Sequence, residues 1–203
     1  DLYMDVTNTV INFKFPDSLF LASNFDITSE SSFPNGQFAQ LKGNLQRGGE
    51  IILNPQKNFI THRTPYMTFL TDFRAPRYSP IGQGLSINKV ANFIHNNLGD
   101  YPHEKILVSE LDYNKNPLYG INQLPSFIRP YEEQFQFEMK FLKTAINSIL
   151  KETMFLNPRK EQWLNSAIAN YLMIAFVEQY YPDQKLMGKL SKIWGFRSFE
   201  LAK

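Results

Sequence analysis

The sequence predicts an α+β protein, because segments typical of strands fill its first part and segments typical of helices follow them. Residues 1 to about 82 consist of short runs rich in β-branched and aromatic residues, separated by Pro, Gly and Asn. Long segments with apolar residues at helical spacing come later in the chain. Its 203 residues allow one or two domains. We therefore expect a β-rich segment over residues 1–82 and an α+β unit over 83–203, or one continuous domain.

Turn residues divide the first part of the chain. The predicted strands cover residues 6–15, 19–28, 50–53 and 66–73. Pro16 ends the first of them, and the turn Phe33-Pro34-Asn35-Gly36 contains an Asn-Gly pair, which favours positive φ. Gly48-Gly49 is a further break, and the Pro- and Gly-containing residues 74–84 separate the strands from the first helix.

Capping signals and apolar spacing define the elements that follow. Ser86 is predicted to cap a helix that runs through Leu98 and ends at Gly99. Pro130 is expected to open a long helix, and Pro158 to lie in the first turn of another. The predicted elements are a strand over 105–111, an edge strand over 120–128, and helices over 130 to about 154, 158 to about 180, and 185–194.

Composition excludes several classes of function. The net charge of +2, from 21 basic and 19 acidic residues, gives no basis for nucleic-acid binding. No apolar run is long enough to span a membrane. The absence of cysteine excludes disulfides, thiolate metal sites and a Cys nucleophile. It leaves the compartment open, with periplasm or cell surface slightly favoured over cytoplasm.

The remaining titratable residues give no catalytic pattern of their own. His62, His95 and His103 show no His-x₃-His spacing, and His103-Glu104 is followed by Leu107 where a second His would be needed. The acidic pairs, Glu110 with Asp112 and Glu132 with Glu133, are expected to be solvated. The lysine-bearing helix over 185–194 could lie on a membrane surface, but packing against the core or a neighbouring domain is the favoured interpretation.

One segment carries a specific pattern. Residues 163–171 read W-L-N-S-A-I-A-N-Y, which resembles the W-L-N-E-G-[FL]-A-x-Y segment of M1-type aminopeptidases (gluzincins). In that family the segment's Glu is the last zinc ligand, and it follows an H-E-x-x-H motif with 18 residues between. The same spacing, counted back from Ser166, leads to K-T-A-I-N at residues 143–147.

The resemblance implies a metal site that has lost its ligands. Lys143, Thr144, Asn147 and Ser166 stand where the family has His, Glu, His and Glu. A catalytic zinc needs three strong ligands and an open position for water, and an ammonium repels a cation. Thr144 cannot replace the carboxylate that acts as general base. We therefore predict no catalytic residue, no metal and no cofactor at these positions.

Weaker matches extend the resemblance over residues 85 to about 190. Gly120-Ile121-Asn122-Gln123-Leu124 is similar to the family's G-[AGM]-M-E-N strand, so Gly120, Asn122 and Gln123 are candidate substrate-binding residues. Gln123 replaces the Glu that captures the substrate amine in the family. Residues 98–108 and 180–183 resemble its G-x-Y-P and Y-P-D passages. The fold implied is a thermolysin-like catalytic domain, preceded by the last strands of an N-terminal β-domain.

The leading hypothesis is a catalytically inactive aminopeptidase-like domain that acts as a scaffold or binds peptides. One alternative is an active M1-type zinc peptidase whose ligands lie elsewhere. Another is a purely structural domain of a larger protein, with a neighbouring domain as its partner. If the fold is preserved, we expect the Lys143 ammonium to lie near Asn147, Ser166 or a carboxylate such as Glu138 or Glu110.

Overall fold

The computed structural model describes residues 6–118, 131–153 and 161–182. Within these ranges the strands are β1 (Thr7–Phe15), β2 (Phe20–Ser23), β3 (Asp26–Phe33), β4 (Gly36–Gln46), β5 (Ile51–Asn54), β6 (Ile60–Arg63), β7 (Thr68–Thr71) and β8 (Lys105–Val108). The helices are α1 (Pro80–Leu98), α2 (Glu110–Lys115), α3 (Glu133–Thr153) and α4 (Gln162–Tyr180). Strands precede most of the helices, which confirms the α+β prediction. The strand predicted at 120–128 and the helix predicted at 185–194 lie outside the described residues.

The N-terminal strands form two antiparallel sheets, ordered β1-β4-β3 and β2-β5. The predicted turn between β3 and β4 is confirmed, with Asn35 at φ 68°. The predicted strand over 19–28 is two strands, because the chain bends at Asn24 and Phe25, where the Ser23 hydroxyl accepts a hydrogen bond from the Phe25 N–H. β4 was not predicted; its inward side chains include Ala39 and Leu41, which are fully buried.

A third sheet, ordered β6-β7-β8, supports the helices. β7 and β8 are parallel and α1 connects them, so this part of the chain is a β-α-β unit. The strand predicted over 105–111 ends at Val108, because the Ser109 hydroxyl accepts a hydrogen bond from the Asp112 N–H and thereby caps α2.

The predicted cap of α1 is wrong. The helix begins at Pro80, and the cap is Ser79, whose hydroxyl accepts a hydrogen bond from the Gly82 N–H at 3.1 Å. Proline at the first helical position has no N–H to leave unpaired, so Ser79-Pro80 is the stronger start signal. Ser86 is instead buried about two turns further on, with its hydroxyl pointing into the core. The end predicted at Gly99 is confirmed, with φ 83°.

The main hydrophobic core surrounds α3. This helix packs against α1, α4, α2 and β8, and most of its residues from Phe135 to Leu150 are buried. Aromatic rings provide much of the contact; Phe141, for example, packs edge-on against Phe69 at 5.1 Å between ring centroids. A smaller core lies between the N-terminal strands. No helix of the described residues combines the length and the apolar character needed to cross a membrane.

Candidate functional site

A polar cavity lies beside the residues that the sequence assigned to the lost metal site. Lys143, Thr144 and Asn147 share one side of α3 and line this cavity of about 140 Å³. Its other lining residues are Glu50, Asp112, Tyr113, Asn116, Ser148 and Lys151. Three of the four predicted positions are therefore together. Ser166 is exposed on α4 and is not among the residues that line the cavity.

Lys143 is the most unusual group in this cavity. Its side chain is buried, with 9% of the residue exposed, and burial lowers the pKa of its amine. The ammonium donates to the backbone carbonyl of Asn116 at 2.6 Å and lies 3.4 Å from the Asn116 side-chain oxygen. Asn147 lines the same cavity, as expected, but the hydrogen-bond partner Asn116 was not predicted. It caps the C-terminus of α2, where the last carbonyl groups lack helical partners.

The two predicted carboxylate partners of Lys143 are engaged elsewhere. Glu138 is fully buried and lies in an ion pair with Lys89. Glu110 lines a separate cavity of about 290 Å³, together with Arg74, Arg77 and Lys140. Since Glu138 and Lys143 are five residues apart on α3, their side chains point to different sides of the helix.

The hydroxyl of Thr144 is used within its own helix. It donates to the carbonyl of Lys140 at 3.0 Å, as buried hydroxyls in helices often do. Ser148, one turn further along α3, donates to the Leu107 carbonyl at 3.2 Å and joins the helix to β8. Asn147 between them is half-buried and presents its amide to the cavity. These groups are neutral, and none is a carboxylate that could act as a general base.

A pair of carboxyl groups on the opposite wall was missed by the sequence analysis. Burial and the hydrogen bond with Asp112 raise the pKa of Glu50 to about 7. Burial disfavours the charged form of Asp112, but hydrogen bonds from Glu50, Lys115 and Ser109 outweigh it and lower its pKa. The two carboxyl groups are hydrogen-bonded to each other and titrate as a pair. The expectation that Asp112 is simply solvated is wrong, because its carboxylate is hydrogen-bonded to Glu50, Lys115 and Ser109. Glu50 lies in the loop between β4 and β5, which is distant from Asp112 in the sequence.

These residues do not fit a zinc ion. Lys143 offers an ammonium, and Thr144, Asn147 and Ser166 offer amide and hydroxyl oxygens, which are weak ligands. Among the described residues, no three His, Asp or Glu side chains gather in a group that could hold a metal. His95 stacks on Tyr66 at 4.1 Å and His103 packs edge-on against Tyr101, so the histidines have separate partners.

The candidate substrate-binding residues Gly120, Asn122 and Gln123 lie outside the described residues.

No protein-family model and no curated protein matches the sequence. Several solved structures match the fold of this chain. The M1 zinc metallopeptidase from Deinococcus radiodurans matches with a TM-score of 0.57 and 14% sequence identity, over 87% of this chain and 42% of that one. A mutant of that enzyme bound to a Tyr-Ser-Ala substrate matches with a TM-score of 0.57, 15% identity, and 88% and 42% coverage. A two-domain M1 zinc metallopeptidase mutant bound to L-arginine matches with a TM-score of 0.54 and 13% sequence identity, over 88% of this chain and 42% of that one.

The chain therefore has an M1-metallopeptidase-like fold. At this level of identity the likeness concerns the fold and not the chemistry. The chain spans 42% of the length of these solved structures.

Proposed function

We propose that this chain is a catalytically inactive aminopeptidase-like domain that serves as a scaffold or binds peptides. One observation supports the proposal: Lys143, which the motif spacing aligns with the family's first zinc-binding imidazole, has a nearly buried ammonium. A second cation there would be repelled. Thr144, at the position of the general base, has a hydroxyl already bonded to the Lys140 carbonyl. In this proposal residues 83–203 form the thermolysin-like part, and residues 1–82 include the last strands of a β-domain.

The proposal is tested by measuring zinc content and peptidase activity on the same sample. The protein is incubated with zinc, freed of loose metal by gel filtration, and examined by elemental analysis. Hydrolysis of aminoacyl-arylamides is then assayed with zinc in the buffer. We expect no stoichiometric zinc and no hydrolysis above the buffer rate. Tightly bound zinc at a ratio near one per chain would overturn the proposal.

Peptide binding is the positive part of the test. The Tyr-Ser-Ala peptide, which is a substrate of the matched Deinococcus enzyme, should bind in a titration and remain intact in mass spectrometry. Its cleavage would favour the alternative of an active M1-type peptidase with ligands elsewhere. Absence of peptide binding and of zinc would favour a purely structural domain.

A specific observation favours this structural alternative. Helix α4 exposes large apolar side chains in addition to those it buries. Its inner face packs into the core, while its outer face carries Trp163, Tyr171 and Ile174, which are 67%, 69% and 50% exposed, among polar residues such as Ser166 and Asn170. Clustered apolar side chains that are exposed at a surface mark an interaction site. In the matched structures more than half of the chain lies outside the matched part. The occupant proposed for this face is thus another domain of a longer polypeptide.

Light scattering tests this second function. If a neighbouring domain normally covers the face, the chain studied alone should self-associate as its concentration rises. A triple variant, Trp163→Ser, Tyr171→Ser and Ile174→Ser, should then be monomeric, with an unchanged circular-dichroism spectrum. A wild-type chain that stays monomeric at high concentration would exclude this face as a docking surface.

A further inference from the structure

Among the described residues, no carboxylate forms an ion pair with the Lys143 ammonium. Its contacts are with neutral oxygens of Asn116, at 2.6 and 3.4 Å. Within the part of the chain that the structure describes, its contacts are thus with neutral groups alone. Lys151, which lines the same cavity, is exposed and interacts electrostatically with Glu50 and Glu152. A charge held away from water is costly unless an opposite charge compensates it. The cavity thus has an unmet requirement for negative charge.

The volume of the cavity and the residues along one of its walls suit a small anionic molecule. Its volume is about 140 Å³, which exceeds the roughly 30 Å³ that one water molecule occupies in the liquid, so a carboxylate group with a short substituent can enter. Lys143, Asn147 and Lys151 follow one another at intervals of four residues on α3. Their side chains therefore form a row along one wall, with two ammonium groups and an amide.

The acidic residues on the opposite wall do not cancel this positive charge. Lys115 donates to Asp112 at 2.7 Å, and the Ser109 hydroxyl donates to it at 2.8 Å, so Asp112 already has charged and neutral partners. Glu50 has a pKa of about 7 because of burial and its bond with Asp112. It is thus largely uncharged below neutral pH. When Glu50 is protonated, Asp112 is paired with Lys115, and no carboxylate that lines the cavity neutralises Lys143 or Lys151.

We propose that this cavity is a binding site for a small carboxylate, with Lys143 and Lys151 as charged partners and the Asn147 amide as hydrogen-bond donor. Ammonium–carboxylate contacts are charge-assisted and stronger than neutral ones. A singly charged ion is favoured over a dianion, because Asp112 and Glu50 line the facing wall. This inference goes beyond the proposed function, since it concerns the ligand of the cavity and not the loss of zinc or of catalysis.

Calorimetric titration separates the sources of the carboxylate. Acetate, inorganic phosphate, and Tyr-Ser-Ala with a free or an amidated C-terminus are titrated into the wild-type chain at about pH 6, where Glu50 is protonated. We expect saturable binding of acetate. If the C-terminus of a peptide is the natural ligand, the peptide with a free C-terminus should also bind, and the amidated peptide should not. Binding of phosphate but of neither carboxylate would overturn the assignment, as would the absence of any saturable binding.

Variants locate the site. Lys143→Met should weaken carboxylate binding by about tenfold or more, the effect of losing one charge-assisted hydrogen bond. Lys151→Met, which changes an exposed side chain and leaves the core untouched, should weaken it several-fold. Lys57→Met removes the same charge from an exposed loop and is the matched control. Equal binding by wild type, Lys143→Met and Lys151→Met would show that the carboxylate binds elsewhere and would overturn the proposal.

Discussion

The Lys89 ammonium lies 2.7 Å from the carboxylate of Glu138, a residue with no exposed side-chain surface. Glu138 also accepts hydrogen bonds from Ser86 at 2.6 Å, Gln134 at 2.9 Å and Tyr181 at 2.7 Å. These partners come from α1, from α3 itself and from the end of α4. A single buried carboxylate therefore joins the three long helices, and its charge is fully compensated by donors.

Replacing this carboxylate should cost stability. Glu138→Gln keeps the shape of the side chain but leaves Lys89 without its anion and places an amide N–H against other donors. We expect the free energy of unfolding to fall by about 3 kcal/mol, the usual cost of breaking a buried ion pair. Urea denaturation measures this. Glu30→Gln, at an exposed position on β3, should change stability by no more than about 0.5 kcal/mol; equal effects of the two changes would contradict this account of Glu138.

The Glu50–Asp112 pair should make stability depend on pH. The pKa of Glu50 rises from 4.5 to about 7 on folding, so between these values the folded state binds more protons than the unfolded state. The contribution of protonated Glu50 to the free energy of unfolding is fully present below about pH 4.5 and is lost as the pH rises through about 7. After discounting the shift for solvent screening, we expect a loss of about 1–2 kcal/mol. The measurement is urea denaturation at a series of pH values.

The variant Glu50→Gln isolates this effect from other titrating groups, such as Asp72 and Glu152, whose pKa values are also raised by burial. The amide retains a donor for Asp112 at every pH, so the slope over this pH range should be shallower in the variant than in the wild type. Parallel curves for the two proteins would mean that Glu50 does not titrate in this range.

A second polar contact ties the N-terminal strands to α3. The amide of Asn24 donates to the Glu152 carboxylate at 2.6 Å and its oxygen accepts from the Glu50 N–H at 2.8 Å, while the Tyr101 hydroxyl donates to the other Glu152 oxygen. Asn24→Asp keeps the acceptor but opposes two carboxylates. We expect it to lower the free energy of unfolding by about 2 kcal/mol.

The double variant Asn24→Asp with Glu152→Gln provides the control for this contact, because it exchanges the donor and the acceptor. Its stability should recover part of the loss, giving a coupling energy of about 1 kcal/mol or more in a double-mutant cycle. Additive effects of the two changes would show that the contact does not contribute.

Elements with strong local signals were predictable from the sequence. α3 has apolar residues such as Phe137 and Phe141 at helical spacing, and Gly99 ends α1 through its positive φ. β4 and α2 were missed, because β4 contains glycine and many polar residues and α2 has only six residues. The boundaries of β4 depend on hydrogen bonding to β1 and β3, and the start of α2 depends on the cap at Ser109. Strand pairing of this kind forms only in the folded chain.

The sequence analysis identified residues on only one wall of the cavity, the wall formed by α3. Lys143, Thr144 and Asn147 line one cavity, as their spacing on a single helix requires, whereas Ser166 is not among its lining residues. The facing wall comes from Glu50 and from α2, whose places depend on tertiary packing and leave no local pattern in the sequence. For the same reason the partner of Lys143 is the carbonyl of Asn116, a backbone group that side-chain motifs do not reveal.

The central claim is that Lys143, Thr144, Asn147 and Ser166 occupy the positions of a lost zinc site. The most direct test is the zinc content of a quadruple variant, Lys143→His, Thr144→Glu, Asn147→His and Ser166→Glu, measured beside the wild type after incubation with zinc and gel filtration. Two imidazoles and a carboxylate provide the ligand set of an open zinc site. The account predicts close to one zinc ion per chain in the folded variant and none retained by the wild type. A folded quadruple variant that retains no zinc would contradict it.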